Sequence, residues 1–219
     1  MKTFVLSCML ALTTGFLTAQ SPQYTTAMTT AVAQLDSAKS ADDYQATANT
    51  FARIAGAEPT EWLPHYYAAF SNLMVGFSRY EKDLNKAIFA FDQSEALLEK
   101  ANALAPQESE LAVLKAYLLI GRLMENPMVL GAQITPQVFA ALEKAAALNP
   151  ANPRASFLRG TYVLNMPEFY GGGAKNAKPY FEKAAVLFEQ ETDRGLLPHW
   201  GQRANVQYLG KVAATETKD

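Results

Sequence analysis

The chain has 219 residues, 49% hydrophobic and 18% charged, which is enough apolar material for a sizeable core. That balance excludes a disordered or collagen-like chain. Nineteen basic residues stand against 21 acidic ones, so the chain lacks the basic surplus from which a general nucleic-acid binder draws its affinity.

At the N-terminus, Lys2 precedes the apolar run Phe4 to Leu12, and small Ala19 follows seven residues later. This order predicts a secretory signal peptide over residues 1–19, leaving 20–219 as the exported part, periplasmic or secreted. A membrane span needs about 20 mainly apolar residues, whereas Ser7, Thr13, Thr14, Gly15 and Thr18 interrupt this stretch. No later segment is long and apolar enough to span. Cys8 is the single cysteine and leaves with the leader, so no disulfide or thiolate site is expected in the exported part.

Beyond the leader, apolar residues recur at helical spacing and strand patterns are nearly absent. Leu111, Leu114 and Leu118 form one such stripe; Val138, Leu142 and Ala145 form another, and Phe181, Ala184 and Phe188 a third. With Pro59, Pro106, Pro150 and Gly171-Gly172-Gly173 marking ends, helices are predicted near 24–37, 41–55, 60–77, 83–104, 108–125, 135–148, 153–165, 176–191 and 200–214.

These helices are written as a repeat. Leu98-Glu99-Lys100-Ala101, Leu142-Glu143-Lys144-Ala145 and Phe181-Glu182-Lys183-Ala184 share one pattern, with a fainter copy at Phe51-Ala52-Arg53-Ile54. The anchors Phe51, Leu98, Leu142 and Phe181 stand 47, 44 and 39 residues apart, and a proline follows eight residues after the first three. Glu189 takes that place in the fourth copy. The units run at about 24–59, 60–106, 108–150 and 153–192, with a last helix at 199–214.

This pattern resembles tetratricopeptide repeats, whose second helix carries small-x-x-x-Phe-x-x-Ala and ends in proline. The small position falls on Thr47, Ser94, Val138 and Ala177, the alanine on Ile54, Ala101, Ala145 and Ala184, and Gly160 matches the glycine of the first helix. The resemblance implies an all-α fold: a right-handed α-solenoid of about four helix pairs. The ninth helix, entered through Leu197-Pro198, is expected to cap the final pair with Trp200, Val206, Leu209 and Val212. The steps exceed the family's 34 residues, and no unit carries the tryptophan, glycine and tyrosine of its first helix together. The array is divergent.

Catalytic signatures are missing. There is no Gly-x-Ser-x-Gly elbow or His-Glu-x-x-His motif, and His65 and His199 lie 134 positions apart, so no enzyme activity, cofactor or metal site is expected. The Gly171-Gly172-Gly173-Ala174-Lys175 loop lacks the second glycine of a phosphate loop and is read as a connection between helices. Glu99, Glu143 and Glu182 sit beside lysines and read as solvated faces.

In tetratricopeptide proteins the first helices line a concave groove that holds extended peptides. The resemblance places Tyr66, Tyr67, Tyr117, Arg154, Phe157 and Asn165 in that groove, with Glu110, Val113, Gly121 and Thr161 facing it as well. It implies an exported, non-catalytic scaffold for a protein or peptide partner. The alternative is a small-molecule or lipid-like ligand held in an apolar pocket between the long repeats. The leader reading is checked by mass measurement on envelope-extracted protein, which should show loss of about twenty residues; an intact Met1 contradicts it.

Overall fold

The computed structural model describes residues 21–216; the expected leader, with Cys8 and Ala19, lies outside them. Among the described residues there are nine α-helices: α1 (Pro22–Ser37), α2 (Ala41–Ala57), α3 (Trp62–Arg79), α4 (Leu84–Leu104), α5 (Ser109–Glu125), α6 (Pro127–Leu148), α7 (Pro153–Asn165), α8 (Ala174–Gln190) and α9 (Gln202–Glu216). None is long and apolar enough to cross a membrane. Consecutive helices pack as pairs, α1 with α2, α3 with α4, α5 with α6 and α7 with α8, and α9 lies on α8. First helices also touch across pairs, α3 with α5 and α5 with α7. The fold is all-α, an array of four helix pairs with one more helix at its end.

Local chemistry sets the helix starts. Ser21, Asp83, Asn126 and Asn152 each accept a hydrogen bond from a first-turn amide, and Ser40 and Asp43 form a reciprocal capping box at α2. Pro22, Pro127 and Pro153 sit in first turns, where no amide is needed.

The repeat in the sequence is a repeat of corners. Glu58, Ala105 and Asn149 each precede a proline and each leave the helical region, with φ of −125°, −141° and −146°. Each donates its amide to the carbonyl four residues back, then accepts from the amide three residues ahead at 3.0–3.1 Å. The next helix therefore starts eleven residues after each anchor, at Trp62, Ser109 and Pro153. The fourth anchor has Glu189 where the others have proline, so this corner is not made and the chain takes another course.

Large-into-small packing fixes how the pairs cross. Phe91 of α4 sits against Gly76 of α3 and Gly121 of α5, where an added Cβ would lie 2.2 Å and 2.9 Å from its ring. Phe181 of α8 occupies the same kind of notch at Gly160 of α7, 2.8 Å from the would-be Cβ. Phe51, Phe91, Leu98, Leu142 and Phe181 are all buried, as are Thr47, Ser94, Val138 and Ala177 across the crossings. Gly121 thus serves a helix crossing and does not face the groove.

Three expectations need correction. Helix α6 begins at Pro127, two turns before the expected 135. Asn126 caps this earlier start, and the helix runs on through Gly131 and Pro136, with Thr135 Oγ1 donating to the Gly131 carbonyl within it. Pro198 does not open α9, which starts at Gln202. Helix α9 packs through Asn205, Tyr208, Leu209 and Val212, with Asn205 Nδ2 donating to the Phe181 carbonyl at 3.0 Å, while Val206 points outward at 63% exposure.

The crossings give a direct test. Gly76→Ala should cost about 1–3 kcal/mol because Phe91 has nowhere to go. Gly131→Ala, with open space around its would-be Cβ, should gain about 0.4–1 kcal/mol. Urea unfolding of both variants measures the difference.

Candidate functional site

After α8 the chain turns back across the first helices. Residues 191–201 form a strap over α3, α5 and α7. Tyr67 Oη donates to the Leu196 carbonyl at 2.8 Å, and Trp200 Nε1 donates to Tyr66 Oη at 2.8 Å. At the rim His199 Nε2 lies 3.1 Å from an Asp36 carboxylate oxygen. Gly195 and Gly201 bound the crossing, with φ of 61° and 108°, backbone that side chains with a Cβ seldom adopt.

An ion cluster lies beneath the strap. Arg154 of α7 is fully buried. Its Nε and Nη2 donate to the Glu110 carboxylate of α5 at 2.9–3.1 Å, and its Nη1 and Nη2 donate to Glu191 of the strap. Arg154 Nη1 also donates to the Trp200 carbonyl at 3.3 Å. Arg194 adds bonds to Glu110 and Glu191, both at 2.9 Å, and one to the Pro198 carbonyl at 3.4 Å. Two guanidinium groups thus face two carboxylates, and each charge has partners, as burial demands. Burial opposes the charge on Arg154, but its bonds to Glu191 and the Glu110 charge outweigh it and push its pKa above the ordinary value. Burial alone would raise the Glu191 carboxyl; bonds and charge from Arg154 and Arg194 hold it below its usual value.

Above the cluster runs a row of aromatic rings. Phe77 of α3 lies 5.0 Å from Tyr117 of α5, centroid to centroid, and Tyr117 stacks on Trp200 at 5.6 Å. Trp200 also stacks on Phe70 at 5.3 Å and meets Phe157 edge-on at 6.4 Å. Phe157 then contacts Tyr208 of α9 at 5.9 Å. Phe77, Tyr117, Trp200 and Tyr208 are partly buried, and each residue keeps some exposure. Half-buried Met74, Ile120, Met124 and Leu164 lie on the same three first helices. Lys211 Nζ sits over the Tyr208 ring at 5.2 Å and puts a cation at the α9 end. Burial drives the Tyr117 phenol above its usual pKa, so it stays neutral.

The six residues expected to line a groove divide three ways. Tyr66, Tyr67, Arg154 and Phe157 are buried beneath the strap and offer no open surface. Tyr117 is half-buried in the row. Asn165 is exposed at the end of α7, where it donates to the Thr161 carbonyl. Glu110 and Val113 are buried too. His65 and His199 stay apart: burial and the Lys100 charge hold the His65 pKa down, and His199 pairs with Asp36. Glu99, Glu143 and Glu182 are exposed. In the glycine loop, the amides of Gly171, Gly172 and Gly173 are spent on the Glu168, Pro167 and Val163 carbonyls, so no anion cradle is open there.

Glu191, Arg194 and Trp200 were not legible as one site. The stretch from Glu191 to Gly195 reads as a polar linker, and Trp200 reads as part of a cap. The one signal is the missing proline after the fourth anchor. Away from the row, the described residues form an open groove of about 850 Å³ between α1 and α2 around Ala27, Ala31 and Ile54, and a hollow of about 250 Å³ between α4, α5 and α6.

The cluster makes two predictions. Arg154→Leu takes the bidentate partner from buried Glu110 and leaves it Arg194 alone, which should cost about 3 kcal/mol in urea unfolding at neutral pH. Because the folded Glu191 carboxyl is held low, its stabilising part is complete above the ordinary carboxylate value of about 4.3 and is lost as pH falls through the lower folded value. Unfolding midpoints taken between neutrality and about pH 3 should fall on acidification, and less steeply in the Arg154→Leu variant.

No family profile matches the chain, and a search of curated proteins returns no match. Among solved structures it is similar to the HusA haemophore from Porphyromonas gingivalis, with 30% sequence identity over 90% of this chain and 96% of that chain, at a TM-score of 0.77. With that identity across nearly the whole of both molecules, the chain belongs to the family of the HusA haemophore.

Proposed function

We propose that the protein is an exported, non-catalytic carrier that binds haem, or a closely related flat porphyrin, on the aromatic row of its concave face. The observation that carries this is the row itself, partly buried Phe77, Tyr117 and Trp200 in ring contact and joined to Tyr208 through Phe157, in a chain related to a haemophore. A porphyrin is a rigid apolar disc with carboxylate arms. Aromatic faces recover its hydrophobic and stacking energy, and a lysine at the rim suits its carboxylates. Lys211 fills that role.

The small-molecule alternative therefore takes precedence over a protein or peptide partner. In a tetratricopeptide-like array the peptide would lie where this chain lays its own strap, and the strap's bonds to Tyr66, Tyr67 and Arg154 use up the groove's polar groups. The tetratricopeptide likeness is then one of architecture, a divergent helical array adapted to a different ligand.

The row holds the ring by its faces. Neither histidine belongs to it, and the Tyr117 phenol is kept neutral by burial, which disfavours phenolate ligation of iron. Haem and iron-free protoporphyrin IX should therefore bind with affinities within about tenfold of each other. Tyr117→Ser should weaken both by at least about tenfold. Titration of indole fluorescence or of the porphyrin absorption band measures this. Binding of neither porphyrin, or an unchanged affinity in Tyr117→Ser, overturns the assignment.

A further inference from the structure

Trp200 belongs to the row but not to any helix. It is the one ring of the row carried on the strap, and nothing within the strap's own backbone fixes it there. Its position is set from below: Arg154 Nη1 holds its carbonyl, Tyr66 Oη accepts from its indole, and Arg194 holds the Pro198 carbonyl two residues before it. The same two arginines are locked by Glu110 and Glu191. Glycines 195 and 201 have positive φ, and between them the strap is also held at the Leu196 carbonyl by Tyr67 and at His199 by Asp36.

We propose that Arg154, Arg194, Glu110 and Glu191 are positioning residues for the porphyrin site: they press Trp200 into register between Tyr117 and Phe157, and so set how long a bound ring is held. None of the four belongs to the row, so they act through Trp200. This inference rests on the porphyrin reading above and adds to it the device that completes the site. The direction follows from the geometry. A strap that only blocked the groove would bury Trp200 and face the ligand with polar backbone. Here Trp200 is half-buried and joins Tyr117 to the Phe157–Tyr208 end, so the closed strap extends the binding face.

The mildest perturbation is Arg194→Met. Arg194 is the most exposed of the four side chains, at 20%, and its loss leaves Glu110 still paired with Arg154. The test uses the Trp62→Phe background, in which Trp200 is the only tryptophan, and protoporphyrin IX as probe. Emission reports the setting of Trp200 without ligand, stopped-flow dissociation reports residence, and circular dichroism confirms that the array is folded. Arg194→Met should red-shift the emission and speed dissociation about tenfold, with association changed by no more than about threefold. Should that variant fail to fold, Trp200→Phe, which keeps a ring but loses the bond to Tyr66, carries the same expectation for dissociation. A shifted emission with unchanged dissociation overturns the inference, because the strap would then not belong to the site. Slower dissociation overturns it as well, because the strap would then compete with the ligand. An unshifted emission also overturns it. If the unaltered protein binds no porphyrin, the functional reading falls first and this inference with it.

Discussion

The arrangement of the strap across the first helices depends on a guanidinium group that has no access to water. Arg154 is fully buried in α7, and a charge in that position survives only with partners on every side. Glu110 supplies one side from the neighbouring first helix. The other side is left for Glu191, which lies beyond the last residue of α8, so the chain after α8 must return across the array to complete the set. Substituting an apolar pair at such a site is often neutral or stabilising, so the cluster is better understood as choosing a path for the strap than as the source of the fold's stability.

The fold's stability comes instead from repetition. Phe91 and Phe181 enter glycine notches on neighbouring first helices, and three near-identical corners hand the chain on to the next pair. Each pair buries its apolar face only against its neighbours, as helical repeats do. One apolar core spans the first two pairs and takes in Leu111, Leu114 and Leu118 of α5, another spans the last two pairs, and Tyr117 and Trp200 pack against both. The ring row is therefore also the seam of the molecule, which ties ligand contact to the packing of the two halves.

Much of this was legible in the sequence because it is local. The proline eight residues after an anchor disfavours a helical residue before it, and at Glu58, Ala105 and Asn149 that residue turns the corner. Alanine and glycine opposite phenylalanine likewise mark close crossings. What could not be read was long-range. Nothing adjacent to Arg154 announces that its partners are 44 residues before it and 37 after it. Helical spacing places Trp200 near the end of the array, but only the path of the strap carries it onto Phe70, Tyr117 and Phe157 of three first helices. The expected groove residues lie on α3, α5 and α7, and Tyr66, Tyr67, Arg154 and Phe157 are buried there beneath a segment of their own chain. The apolar stripe of α6 starts only at Ile134 and Val138, so helical spacing misses its first two turns, which Asn126 caps.

The central claim is that a porphyrin lies on the row formed by Tyr117, Trp200 and Tyr208. The most direct measurement is a two-dimensional amide and indole NMR spectrum of isotope-labelled protein during titration with protoporphyrin IX, whose ring current shifts nearby resonances. The account predicts that the Trp200 indole and the amides around Tyr117 and Tyr208 move together, while those of Ala27, Ala31 and Ile54 in the groove between α1 and α2 stay in place. Shifts confined to that outer groove, with the Trp200 indole unmoved, would contradict it.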